Sequence, residues 1–120
     1  MKNPFRKGYE ISLNRVHDTV RVKEGDQSLM LTVNGDAQRM VAGLNTAQGK
    51  MKAIAEGNPT QEEITDVALF FAGVIFGKEQ ATQLMGFYAN DPSTVITICG
   101  TYFRERLADQ ISKVQKKMKL

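Results

Sequence analysis

The chain has 120 residues, 42% of them apolar and 24% charged, and 16 basic against 13 acidic side chains leave a formal net charge of +3. This is the balance of one globular domain and not of a disordered segment. One cysteine excludes an internal disulfide, and one cysteine with one histidine excludes the usual zinc set of three or four such ligands.

The first residues, Met1 to Tyr9, are polar and basic and lack the apolar run of a signal peptide. Tyr9, Ile11 and Leu13 then alternate with Glu10, Ser12 and Asn14, the period of a half-buried strand. Val20 and Val22 precede the turn residues Glu24-Gly25-Asp26, and Leu29, Leu31 and Val33 alternate after them. The pattern predicts a hairpin of Thr19–Lys23 and Ser28–Val33, preceded by a strand near Tyr9–Leu13. Met30 interrupts its polar face. A sheet this small must pack on helices to persist.

Asn34-Gly35-Asp36 ends the strands and offers a helix cap, and from Ala37 the period becomes 3.6. Ala37, Met40, Val41, Leu44, Ala47, Met51 and Ile54 make one apolar stripe that Gly57 closes. Thr60-Gln61-Glu62-Glu63 matches a capping box, in which Thr60 accepts from the Glu63 N–H and Glu63 reaches back to Thr60. The helix it opens runs to Phe76 and is apolar almost all round, which predicts the central element of the core. Its longest apolar stretch, Val67 to Phe76, is about ten residues, whereas a membrane span needs about 20. A shorter helix carries Ala81, Leu84, Met85 and Tyr88 on one face. Asp91 and Pro92 start the last helix, predicted to reach Lys116, with Val95, Cys99, Tyr102, Phe103, Leu107, Ile111 and Val114 as its stripe. The fold class expected is α+β: a small antiparallel hairpin or three-stranded sheet over residues 1–34, then about four helices over 35–120, in one domain spanning 1–120.

A search for chemistry finds no catalytic, cofactor or metal site. His17-Asp18 with Ser12 has the residue types of a triad but lies within one strand and turn, without the glycine elbow that exposes a nucleophile. Cys99 falls on an apolar helix face, where it acts as a small hydrophobe. Glu62, Glu63 and Asp66 sit in the opening turns of a helix, where negative charge is favoured. The basic excess is uneven: residues 1–60 hold nine basic and six acidic groups, and residues 61–120 hold seven of each. Arg6, Lys7, Arg15 and Arg21, with the tail lysines Lys113, Lys116 and Lys117, form the set a nucleic-acid binder would use, although +3 is a small excess for that task. Met30, Met40, Met51 and Met85 accompany the apolar stripes and suit adaptable partner surfaces as well as core packing.

The run ITDVALFFAGVIFGKEQATQLMG, followed by ANDPSTVITICGTYFRERLADQISK, resembles the C-terminal half of the phage tail assembly chaperones of viruses and prophages of Gram-positive bacteria. The elements that carry the resemblance are an aromatic-rich helix end, here Phe70-Phe71 with Phe76-Gly77; a short helix, here ending Leu84-Met85-Gly86; and a long helix from Val95 onward. Where the family usually has a glutamate or small polar residue after the glycine, this chain has Lys78-Glu79. The resemblance covers about half of the chain and is a pattern of apolar residues and glycines.

The resemblance implies a non-enzymatic protein of the bacterial host cytoplasm. It would bind the tape-measure protein, help recruit tail-tube subunits, and self-associate. Its implied partner surface is the part of Phe70, Phe71, Phe76, Leu84, Met85, Phe87 and Tyr88 that the core does not consume. The alternatives are a small basic nucleic-acid-binding protein, or another phage morphogenesis component such as a head–tail joining protein.

Overall fold

A computed structural model describes residues 14–117. The expected strand at Tyr9–Leu13, and with it the third strand, lies outside those residues, as do Arg6 and Lys7. Strands β1 (Arg15–Glu24) and β2 (Gln27–Asp36) pair antiparallel, with Thr19 opposite Thr32 and Val22 opposite Leu29. Gly25, at φ +60°, makes the turn. The hairpin is longer than the apolar alternation predicts. Arg15, His17, Asn34 and Asp36 continue the backbone ladder although their side chains give no burial signal. Val16, Val22, Leu31 and Val33 face the helices and are buried, whereas His17, Arg21, Lys23, Met30 and Thr32 face outward.

Helix α1 (Ala37–Glu56) begins where the Asp36 carboxylate accepts from the Arg39 N–H. The Asn14 side chain donates to the same carboxylate, and the Asn14 carbonyl accepts from the Ala37 N–H. Helix α2 (Gln61–Phe76) opens with the full Thr60–Glu63 capping box, its two bonds at 2.9 and 3.1 Å. It lies at the centre, packed against α1, α3 (Lys78–Phe87), α4 (Pro92–Tyr102) and β2. At Gly77 (φ +88°), a conformation that favours glycine, the chain turns from α2 into α3.

Gly43 has a packing role. A Cβ there would meet the Val74 methyls at 2.8 and 2.9 Å, so the missing side chain is what lets α1 approach α2.

The last helix departs from expectation. It starts as predicted, with Asp91 capping Ser93 and Thr94 and Pro92 in the first turn. After α4, however, it passes through a π turn at Phe103–Leu107 before continuing as α5 (Ala108–Lys117). In an unbroken α-helix the face of Val95, Cys99 and Tyr102 would continue at Glu105 or Arg106, both charged. One extra residue in the π turn brings Leu107 onto that face, fully buried, and then Ile111. No helix among the described residues is long and apolar enough to cross a membrane.

Candidate functional site

The apolar face of α2 is wider than its neighbours cover. Helices α1 and α4 both pack on α2 but leave a groove of about 500 Å³ between them. Phe71 of α2 lines it, with Leu44 and Met51 on α1 and Ile96 and Phe103 on the last helix. Asn45, Gln48, Thr97 and Arg104 supply the polar groups around it. Leu44, Gln48 and Met51, like Ile96, Gly100 and Phe103, follow one another at steps of four and three, so each wall presents one face of a helix. Leu44, Met51, Ile96 and Phe103 are half-buried: they pack against the core on one side and remain open on the other. Gly100 carries no side chain into the space, and a Cβ there would meet the Arg104 guanidinium at 3.3 Å.

Of the seven residues of the implied partner surface, the core takes five, and the groove takes only Phe71, which is one of those five. Phe71, Phe76, Leu84, Met85 and Tyr88 are buried. Phe76 packs on Tyr102, with ring centroids 5.9 Å apart. Of these five, only Phe71 touches the groove. Tyr88 donates its hydroxyl to the Lys23 carbonyl at 2.9 Å, tying α3 to the hairpin. Burial first, and the Glu24 charge second, raise the Tyr88 phenol above its ordinary value. Phe70 and Phe87 are half-buried; Phe70 lies beneath the Lys50 ammonium at 5.1 Å, outside the groove. The sequence reading of the site missed Leu44, Ile96 and Phe103, while Met51, noted among the methionines suited to a partner surface, does line the groove. The available signal was a stripe too wide for one contact: Ile96 adjoins Val95, and Phe103 adjoins Tyr102, a doubling that a single buried face does not need.

The described members of the basic set lie on β1 and α5. Arg15 reaches across the hairpin to the Asn34 side chain and carbonyl at 3.0 and 3.2 Å. Arg21 is exposed on the outer face of β1, and Lys113 pairs with Asp109 at 3.0 Å on α5. Lys116 and Lys117 are exposed near the end of α5.

A second polar site was not anticipated. Asp18, read from sequence only within the rejected His17-Asp18-Ser12 set, receives three side chains and one backbone N–H at once. Tyr102 donates at 2.8 Å, Arg106 at 2.7 and 3.1 Å, Gln110 at 2.8 Å and its neighbour's Thr19 N–H at 2.8 Å. The Asp18 side chain is only 9% exposed. Burial alone would raise its carboxyl; the hydrogen bonds from Gln110, Tyr102 and Thr19, with the Arg106 charge, outweigh this and hold it below its ordinary value. His17 is exposed and takes no part. Cys99 is enclosed in the core, and burial pushes its thiol up to about 12, the opposite of a nucleophile's environment.

Comparison with protein-family models, with curated proteins and with solved structures finds no match in any of the three. The groove and the Asp18 cluster are therefore interpreted from their own chemistry.

Proposed function

We propose that this chain is a non-enzymatic tail assembly chaperone. In this reading its α1–α4 groove holds amphipathic helical segments of a tape-measure protein in the host cytoplasm, while the complex recruits tail-tube subunits. The observation that supports it best is the groove itself: two helical walls with apolar centres and polar rims, set over Phe71. A third helix laid between α1 and α4 would complete the packing of α2 by the same ridges and grooves that already join α2 to each of them. The resemblance over Ile64–Lys113 supports the same reading, because it spans α2, α3, α4 and the π turn, which include Phe71, Ile96 and Phe103.

The test is co-expression with the longest helix-rich open reading frame encoded beside this one. Rescue of that partner's solubility, with co-purification, is the expected result. Paired Leu44→Asp and Ile96→Asp substitutions place two charges in the groove and abolish the rescue while leaving the helical circular dichroism unchanged. Failure of the wild-type chain to rescue or co-purify overturns the chaperone reading. Full rescue by the folded double variant moves the binding site elsewhere.

A further inference from the structure

The hairpin has two edges, and the helices treat them differently. In an antiparallel pair, residues alternate between those that turn both backbone groups toward the partner strand and those that turn both away. Thr32 turns outward from β2. Its N–H donates to the Gln80 side-chain oxygen at 2.9 Å, and its carbonyl accepts from the Gln80 amide at 2.7 Å. Its opposite number on β1 is Thr19, so the outward-facing residues of β1 are Arg15, His17, Thr19, Arg21 and Lys23. The Thr19 N–H is taken by Asp18, and the Lys23 carbonyl by Tyr88. The remaining outward groups, including both of Arg21 and both of His17, have no hydrogen-bond partner among the described residues.

This edge borders a groove. A cavity of about 350 Å³ lies between Thr19–Val22 of β1 and Ile98, Thr101, Tyr102, Glu105 and Arg106 of the last helix. Val20 and Ile98 are half-buried and give it an apolar side. On the outer face of the same strand stand Arg21 and Lys23, both exposed and with no carboxylate within 4.0 Å among the described residues.

We propose that the β1 edge and the facing side of α4 form a second binding site, which takes an extended peptide segment of alternating apolar and acidic residues as an added strand. The alternation follows from the pleat. One set of its side chains turns down onto Val20, Val22 and Ile98, an apolar floor where a carboxylate would meet Glu105 while the Arg106 guanidinium is already held by Asp18. The other set turns out beside Arg21 and Lys23, where negative charge is favoured. Pairing between main chains carries the affinity, and the exposed charges select sign. A nucleic acid offers Arg21 and Lys23 its phosphates but has no ladder of N–H and C=O groups for the strand edge. This site is distinct from the α1–α4 groove and does not depend on the function proposed for it.

The experiment uses the full chain, labelled with ¹⁵N, and an acetylated, amidated hexapeptide of alternating valine and glutamate. At about ten times the dissociation constant, exchange of the outward Arg21 and His17 amides slows about tenfold by mass action, and shifts centre on residues 17–23, Ile98 and Thr101. The same peptide methylated on alternate backbone nitrogens keeps its charge but cannot complete the ladder, and it leaves exchange unchanged. A valine–lysine hexapeptide also leaves it unchanged. Arg21→Pro removes one outward N–H without touching the bonds to β2 and weakens binding more than Arg21→Ala, which removes only the charge. Equal binding of the methylated peptide or of the lysine peptide overturns the proposal. So does full protection of the Arg21 and His17 amides before any peptide is added. A single-stranded oligonucleotide that displaces the glutamate peptide from these residues at equal concentration overturns it in favour of a phosphate site.

Discussion

Where α2 meets α1, α3 and α4, the buried contact is apolar: Ala68, Phe71, Ala72 and Ile75 belong to one core cluster with Leu84 and Val95. Where the hairpin meets the last helix, Val16 and Leu31 also lie buried, but one carboxylate is the focus: Asp18 gathers Tyr102, Arg106 and Gln110. Apolar contact is proportional to area and nearly indifferent to direction. A carboxylate with four donors is directional and fixes the hairpin's position along the helix to within a hydrogen bond. The helical body thus supplies most of the stability, and the polar cluster supplies the register of the hairpin upon it.

The most damaging way to break this division is to open the apolar side. Leu84 is fully buried, and Leu84→Ala is expected to cost about 2–5 kcal/mol, read as a fall in the urea midpoint with little change in slope. The closed core is also measurable without a substitution. Burial pushes Cys99 from an ordinary 9.0 up to about 12, which lowers its thiolate fraction near neutrality about a thousandfold. Ellman's reagent should therefore label the folded chain far more slowly than the chain in urea, and labelling at the unfolded rate in buffer would mean that the core opens.

The polar side is expected to yield less. Asp18→Asn leaves Tyr102 and Gln110 a neutral acceptor and Arg106 no counter-charge. Because Arg106 is 60% exposed, the ion pair itself is discounted, and the expected loss is about 1–2 kcal/mol at pH 7. The folded state holds the Asp18 carboxyl below its ordinary 3.8. Its contribution is therefore complete above that value and is lost as pH falls through the lower folded value. Stability measured from pH 5 downward should fall less steeply in Asp18→Asn than in the wild type.

The smallest effect separates two glycines of α1. Gly43→Ala forces its Cβ against the stiff Val74 methyls and is expected to destabilise, whereas Gly49 has nothing within 4 Å of a new Cβ. Gly49→Ala is expected to stabilise by up to about 1 kcal/mol through helix propensity. Two thermal melts decide the point, and changes of the same sign would remove the close approach of α1 to α2 as the reason for Gly43.

Much of the helical body was legible because its signals are local. The Thr60–Glu63 box, the Asp91-Pro92 start and the apolar stripes each lie within one element, and the structure has them where the sequence places them. The π turn was legible in part. The stripe steps by five from Tyr102 to Leu107, but Phe103 beside Tyr102 fills the interval and disguises it. The ends of the hairpin were missed because polar residues pair their backbones without leaving an apolar mark. Asp18 was missed because its partners lie 84 to 92 residues away. The groove combines Leu44 with Ile96, and no periodicity within either helix reveals that α2 holds them apart.

The Gln80 side chain, lying against the middle of β2, has a consequence for assembly. By meeting both backbone groups of Thr32, it acts as a one-residue counterfeit strand and blocks addition there. A hairpin with both borders open could be threaded into an indefinite ribbon of copies. This one is closed at Thr32 on its β2 margin, so a strand laid against the hairpin has only the β1 side to join.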